Sequence, residues 1–139
     1  MGISVYPLLD NMIVPSNLLI ASADSERGTS SSSYIKVKEI RVLRSGIYRV
    51  SFGIRSDTSG TYAYGRIYKN GVAYGTEWSV GASGNLITET EDLAFTAGDL
   101  VQLYLRRSGS SGGAWVGNFR LYGTPSAFLV GTNAEVITD

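Results

Sequence analysis

The chain has 139 residues, with twelve basic and twelve acidic side chains and neither cysteine nor histidine. Without His or Cys it can build no zinc site of the usual kind and no disulfide, and it lacks the commonest general base and nucleophile partners. The cancelled charge supplies no field for nucleic acid or an anionic membrane, and no apolar run is long enough to span a bilayer.

A chain of this length buries roughly two-thirds of its unfolded surface and needs no metal or covalent staple. Seventeen glycines and nine tyrosines favour strands and tight turns over helices. Met1-Gly2-Ile3 has no basic stretch followed by an apolar one, so no signal peptide is expected, and Tyr6 stands where a myristoylation motif wants Ser or Thr. Synthesis and folding in a cytoplasm follow from this as an expectation.

The N-terminal arm, residues 1–21, is apolar (Ile3, Val5, Leu8, Leu9, Ile13, Val14, Leu18, Leu19, Ile20) and interrupted by Pro7 and Pro15. It needs cover, either as a strand of its own sheet or on a neighbouring subunit. Ser22–Ser33 reads as an exposed loop. In Tyr34–Leu43 the apolar phase slips from Ile35 and Val37 to Ile40 and Val42, which predicts a bulge near Glu39 or a crossing between sheets. Ser45-Gly46 is a turn. Tyr48, Val50, Phe52 and Ile54 then alternate with polar or small residues, as in a strand with one buried face.

Asn70-Gly71 separates Tyr62–Tyr68 from Val72–Trp78, and Asn-Gly accepts the positive φ that a type I′ hairpin turn demands. Thr96-Ala97-Gly98-Asp99 is a further turn, with Gly98 as its left-handed residue. Leu100–Arg106 places Val101, Leu103 and Leu105 inward and Gln102, Tyr104 and Arg106 outward. A Ser/Gly tip, Ser108–Gly113, leads into Ala114–Tyr122, which is read as burying Trp115, Phe119 and Leu121 on one side. The tail, residues 125–139, is apolar like the arm. Turns every eight to twelve residues describe an all-β chain folded as an antiparallel two-sheet jelly-roll sandwich, a single domain over 1–139.

Gly46-Ile-Tyr-Arg-Val-Ser-Phe52, Gly65-Arg-Ile-Tyr-Lys-Asn-Gly71, Leu93–Tyr104 and Asn118-Phe-Arg-Leu-Tyr122, taken in order, resemble the jelly roll of complement globular-head and tumour-necrosis-factor-like domains. The pattern is similar, more closely, to bacteriophage virion proteins of tail fibres, necks and head decorations. The resemblance covers roughly Tyr34–Thr124. It implies a virion structural component that associates with itself, as a homotrimer, and with other virion proteins, with no catalytic residue and no cofactor. The arm and the tail depart from the pattern and are where contacts with neighbours would lie.

The hairpin offers the candidate contact residues. With Ala63, Gly65 and Ile67 inward, Tyr62, Tyr64, Arg66 and Tyr68 face outward in a row, and Tyr74 and Trp78 form a comparable set with Val72 and Thr76 on the partner strand. Tyr, Trp and Arg are enriched in interface hot spots, and aromatic rings with polar tips also suit stacking on sugars. A subunit interface and a host-surface glycan site are therefore both open, beside the plain alternative that this face packs inside the fold. Glu89, Glu91, Asp92 and Asp99 read as solvated strand and turn carboxylates, neither a catalytic pair nor a calcium loop. Arginine is the main cation, which suits intersubunit pairing without the clustered positive stripe of a nucleic-acid surface.

Overall fold

A computed structural model describes residues 12–126 and 133–139. It contains eleven strands and no helix among these residues. The strands are β1 (Ile13–Ala23), β2 (Arg27–Thr29), β3 (Ile35–Val42), β4 (Gly46–Ser56), β5 (Tyr62–Lys69), β6 (Val72–Ala73), β7 (Trp78–Val80), β8 (Ile87–Phe95), β9 (Leu100–Ser108), β10 (Ala114–Pro125) and β11 (Ala134–Thr138).

They form two sheets. In the five-stranded sheet β10 pairs with β1, β2 and β4, and β4 pairs with β8. The six-stranded sheet runs β11-β3-β9-β5-β6, with β7 also on β5. Among the described residues the strand ladders are antiparallel, apart from a parallel bridge from Ile13 to Gly46 and an isolated parallel bridge between Ser56 and Ala82. The fold is the expected all-β two-sheet sandwich. Its interior is filled by alternate residues of the facing strands, among them Tyr48, Val50, Phe52 and Ile54 of β4, Val101, Leu103 and Leu105 of β9, and Phe119 and Leu121 of β10. Each such burial is worth roughly 1.5–3 kcal/mol relative to exposure, which is what holds the sheets together.

The described parts of both chain ends join the protein's own sheets. Residues 13–23 form β1 against β10, and residues 134–138 form β11 against β3. The remainder of the expected arm, residues 1–11, and residues 127–132 of the tail lie outside the described residues.

The predicted turns form for the predicted reasons. Asn70 and Gly71 have φ of 52° and 84°, as a type I′ hairpin needs, and Gly98 takes φ of 92° where Asp99 N–H bonds the Thr96 carbonyl at 2.9 Å. The bulge expected near Glu39 is present, and two other expectations require correction. The slip in β3 falls at Val37, between the Lys36–Tyr104 and Lys38–Leu103 pairs, two residues before Glu39. Its consequence is that Lys38 shares the inward side with Leu103 and is fully buried. The segment expected to be a loop, Ser22–Ser33, contains the end of β1 and the short edge strand β2, paired with Ala114–Val116.

Trp115 does not join the core. Asn118 adopts φ of 51° and makes a bulge between the Gly117–Gly53 and Arg120–Ser51 pairs, so the inward phase is Ala114 and Val116 before it and Phe119 and Leu121 after it. One extra residue therefore turns Trp115 to the outer face.

Candidate functional site

Tyr62, Tyr64, Arg66 and Tyr68 lie on the outer face of the six-stranded sheet, because Ala63, Gly65 and Ile67 of the same strand are buried. Gly65 lets the facing sheet approach closely: a Cβ there would stand 3.0 Å from Phe52 and Ile54 side-chain atoms. Strand β9 supplies the other half of the surface. Its register sets Tyr64 opposite Arg106, Arg66 opposite Tyr104 and Tyr68 opposite Gln102, so aromatic and cationic side chains interleave.

The rings of Tyr68 and Tyr104 stack with centroids 3.7 Å apart and planes 12° from parallel. The Arg106 guanidinium carbon sits 3.8 Å from the Tyr64 ring centre and 5.3 Å from that of Tyr34. Tyr34, just before β3, meets Tyr68 edge-on at 5.9 Å. Its hydroxyl donates to Glu77 Oε2 at 2.6 Å, and Arg106 Nη2 lies 3.5 Å from the same oxygen. Burial, reinforced by Glu77, pushes the Tyr34 hydroxyl above the ordinary tyrosine value, so it remains a donor. Arg66 Nε donates to the Gly75 carbonyl at 2.7 Å. The result is a half-buried platform of Tyr34, Tyr64, Tyr68 and Tyr104 around Arg106, with Tyr62, 48% exposed, at its end.

Tyr74 and Trp78 are not in this row. The two-residue turn pairs Lys69 with Val72, which puts Tyr74 opposite Ile67, on the inward side. Tyr74 and Gly75 both donate from N–H to the Ile67 carbonyl, at 3.0 and 2.9 Å, so two residues oppose one and β6 ends. Tyr74 packs edge-on against Phe95 at 5.6 Å and donates its hydroxyl to the Ala94 carbonyl. When pairing resumes in β7, Trp78 is opposite Gly65, again inward, and packs against the core.

Tyr34, Tyr104, Arg106 and Glu77 are the members that strand-by-strand reading does not assemble. The alternation of β9 already turned Tyr104 and Arg106 outward. What joins them to Tyr64 and Tyr68 is the β5–β9 pairing, a long-range fact.

The acidic residues are accounted for locally. Glu91 accepts from Thr76, Asp92 pairs with Arg49 at 3.0 Å, and Asp99 accepts from Thr96 N–H and the Asn70 amide. Burial raises the Glu89 carboxyl above its ordinary value. Among the described residues no group of three or more His, Cys, Asp or Glu gathers as metal ligands.

The second sheet carries a different outer face. Ion pairs Arg49–Asp92, Arg55–Glu26 and Arg120–Asp24 cover it, each at 2.9–3.0 Å. At one margin Val14, Leu18, Leu19 and Ile47 are 43–57% exposed.

No protein-family model matches the sequence, and no curated protein matches it. Among solved structures, the chain is similar to a carbohydrate-binding module (CBM6cm-2) from Cellvibrio mixtus lichenase 5A, in complex with cellotriose. The TM-score is 0.48 at 14% identity, covering 77% of this chain and 99% of that one.

Proposed function

We propose that the chain is a non-catalytic binding module that engages carbohydrate through the tyrosine platform of the six-stranded sheet. The observation that carries the reading is the composition of that face. Four tyrosines stand around one arginine and one glutamate, and the strands beneath them, β5 and β9, add no exposed aliphatic side chain. Tyrosine and arginine also make protein-interface hot spots, but a sugar offers an apolar C–H face rimmed by hydroxyls, which matches rings with polar tips. Tyrosine rings meet the first, and Arg106, Arg66, Glu77 and the phenol hydroxyls meet the second. Hydrogen bonds and cation–π contacts already hold the side chains in place, which lowers the ordering cost of binding.

The test is retention of the full chain on a panel of immobilised neutral polysaccharides, with Tyr68→Ala and Arg106→Ala compared after circular dichroism has shown both to be folded. Loss of roughly tenfold in affinity in both variants is expected, since a stacked ring contributes about 1–3 kcal/mol in comparable stacking sites. Retention on no polysaccharide, or equal retention by both variants, would sink the reading.

A second reading is favoured by the exposed aliphatic margin of the other sheet. Val14, Leu18, Leu19 and Ile47 would be covered if the chain were a self-associating component of a virion surface, as a homotrimer, with the tyrosine platform left outward. Light scattering of the full chain beside Leu18→Ser/Leu19→Ser decides it: a trimer that the substitutions dissociate supports it, and a monomer refutes it.

A further inference from the structure

The five-stranded sheet carries a shallow, open feature away from the tyrosine platform. An open cleft of about 330 Å³ is lined by Gly28, Thr29, Ser30, Asp57, Gly112, Gly113 and Trp115. That volume is at the lower end for ligand pockets, about 300–1,000 Å³, and suits one ring more than a chain.

Its construction is specific. The Asn118 bulge turns Trp115 outward, and the registers Trp115–Gly28 and Trp115–Arg55 set it between β2 and β4. Gly28 leaves the space that the indole occupies: a Cβ there would stand 2.6–2.8 Å from Trp115 Cε3, Cδ2 and Cζ3. The indole is also locked in orientation, since its Nε1–H donates to Asp57 Oδ2 at 2.8 Å. Asp57 Oδ1 in turn accepts from Gly113 N–H and from Thr58 Oγ1, both at 2.8 Å. These donors, the Gly113 amide first, hold the Asp57 carboxyl down at about 2. Three donors reach the carboxylate, which has about four lone-pair sites. Room for one more donor remains, and Ser30 is among the residues that line the cleft.

The chemistry of the walls selects the ligand. An anion would meet the ionised Asp57. A cation would compete with Arg55, whose guanidinium carbon already lies 5.3 Å from the Trp115 ring centre. An uncharged ring with an apolar face and hydroxyl donors meets neither objection, because it can lie against indole while giving a hydrogen bond to the carboxylate. We propose that this cleft is a second binding site, distinct from the tyrosine platform, for a single uncharged pyranose ring stacked on Trp115 and hydrogen-bonded to Asp57.

The chain has two tryptophans, so its indole N–H region holds two signals, and Trp78 packs against the core on the other sheet. The ¹⁵N-labelled full chain is titrated with methyl glycosides of glucose, galactose, mannose and N-acetylglucosamine, with Trp115→Phe assigning the signals. The expected result is a saturable shift of the Trp115 indole signal with at least one glycoside at millimolar concentration, while that of Trp78 stays still. Ser30→Ala and Gly28→Ala, which leave the core untouched, should weaken binding by roughly threefold or more, consistent with loss of a single hydrogen bond or a displaced ring. Tyr68→Ala should leave the shift unchanged, so failure of the platform reading and of this one are separable. No shift with any glycoside, or shifts unaffected by both cleft variants, would overturn the proposal.

Discussion

The buried lysine gives the sharpest test of the packing argument. Lys38 has a side chain with no exposure, and its Nζ lies 2.7 Å from Asp139 Oδ1, whose own side chain is 46% exposed. Ser25 donates to the same carboxylate oxygen from Oγ at 2.7 Å and from N–H at 3.2 Å, and Arg27 donates to the Asp139 carbonyl. The pair is thus asymmetric: one partner is inside and the other is half in water. Asp139→Ala strands an ammonium whose one remaining partner among the described residues is Ser25 Oγ at 3.5 Å. Breaking a buried pair costs about 3–5 kcal/mol, and discounting for the half-exposed carboxylate leaves roughly 2–3 kcal/mol. Lys38→Met removes the buried charge instead, fills a similar volume, and lets Asp139 rehydrate, so it should change stability by less than about 1 kcal/mol. Urea unfolding followed by tryptophan emission reads the difference, which at a slope of about 2 kcal/mol/M separates the two midpoints by roughly 1 M. The Lys38 hydrogen bond, first among the causes, holds the Asp139 carboxyl below its ordinary value. Its contribution is therefore full above the ordinary carboxylate range and is lost as pH falls through the lowered value, so Lys38→Met should also flatten the acid limb of stability. Equal loss in the two variants would refute the asymmetry.

Three further outcomes follow from backbone and side-chain geometry. Gly46 has φ of +146° and a Cβ on it would run into the Ile13 backbone, so Gly46→Ala should lower stability by roughly 3 kcal/mol and Tm by about 10 °C in a thermal melt. At Asn118, with φ of 51°, Asn118→Gly should stay within about 0.5 kcal/mol of the parent while Asn118→Val loses about 1–2 kcal/mol, measured by the same urea curves. The Trp115 indole signal should hold steady from neutral pH down to about 3 and move only towards about 2, because Asp57 stays ionised until its depressed value is reached.

Local chemistry made most of the strands legible. The alternation of Tyr48, Val50, Phe52 and Ile54 and the Asn70-Gly71 turn depend on residues near one another in sequence, and both appear as read. So does the outward row Tyr62, Tyr64, Arg66 and Tyr68. What failed depends on one-residue insertions. The bulge at Asn118 moves Trp115 from core to surface, and the slip at Val37 moves Lys38 from surface to core. The β3 slip shows in the sequence as the change of apolar phase between Val37 and Ile40, though not its consequence for Lys38, whereas a tryptophan in an apolar stretch gives no sign of the Asn118 bulge. Tyr74 could have been placed from the hairpin alone: a two-residue turn makes partners of Ile67 and Tyr74, and that count overrides the apparent alternation after Gly71. The platform around Arg106 needed the pairing of β5 with β9, which no local signal supplies.

The two outer faces differ in what contact would cost them. On the five-stranded sheet, covering the Arg49–Asp92, Arg55–Glu26 and Arg120–Asp24 pairs would strip water from six charges, and such exposed pairs return little to offset it. On the six-stranded sheet the tyrosine platform holds one such pair, Arg106–Glu77, beside Arg66, so covering it strips water from fewer charges. A ligand therefore loses least on the tyrosine side. On the ion-paired side the places open to contact are the aliphatic margin, which carries no charge, and the Trp115 cleft, whose carboxylate, Asp57, already accepts three hydrogen bonds. Trp115 is reachable there because the Arg55 guanidinium beside it is already held by Glu26, with Nε 3.0 Å from Oε1. The ion pairs thus set a high desolvation cost on this sheet, and the tyrosine platform, with fewer charges, has the lower one.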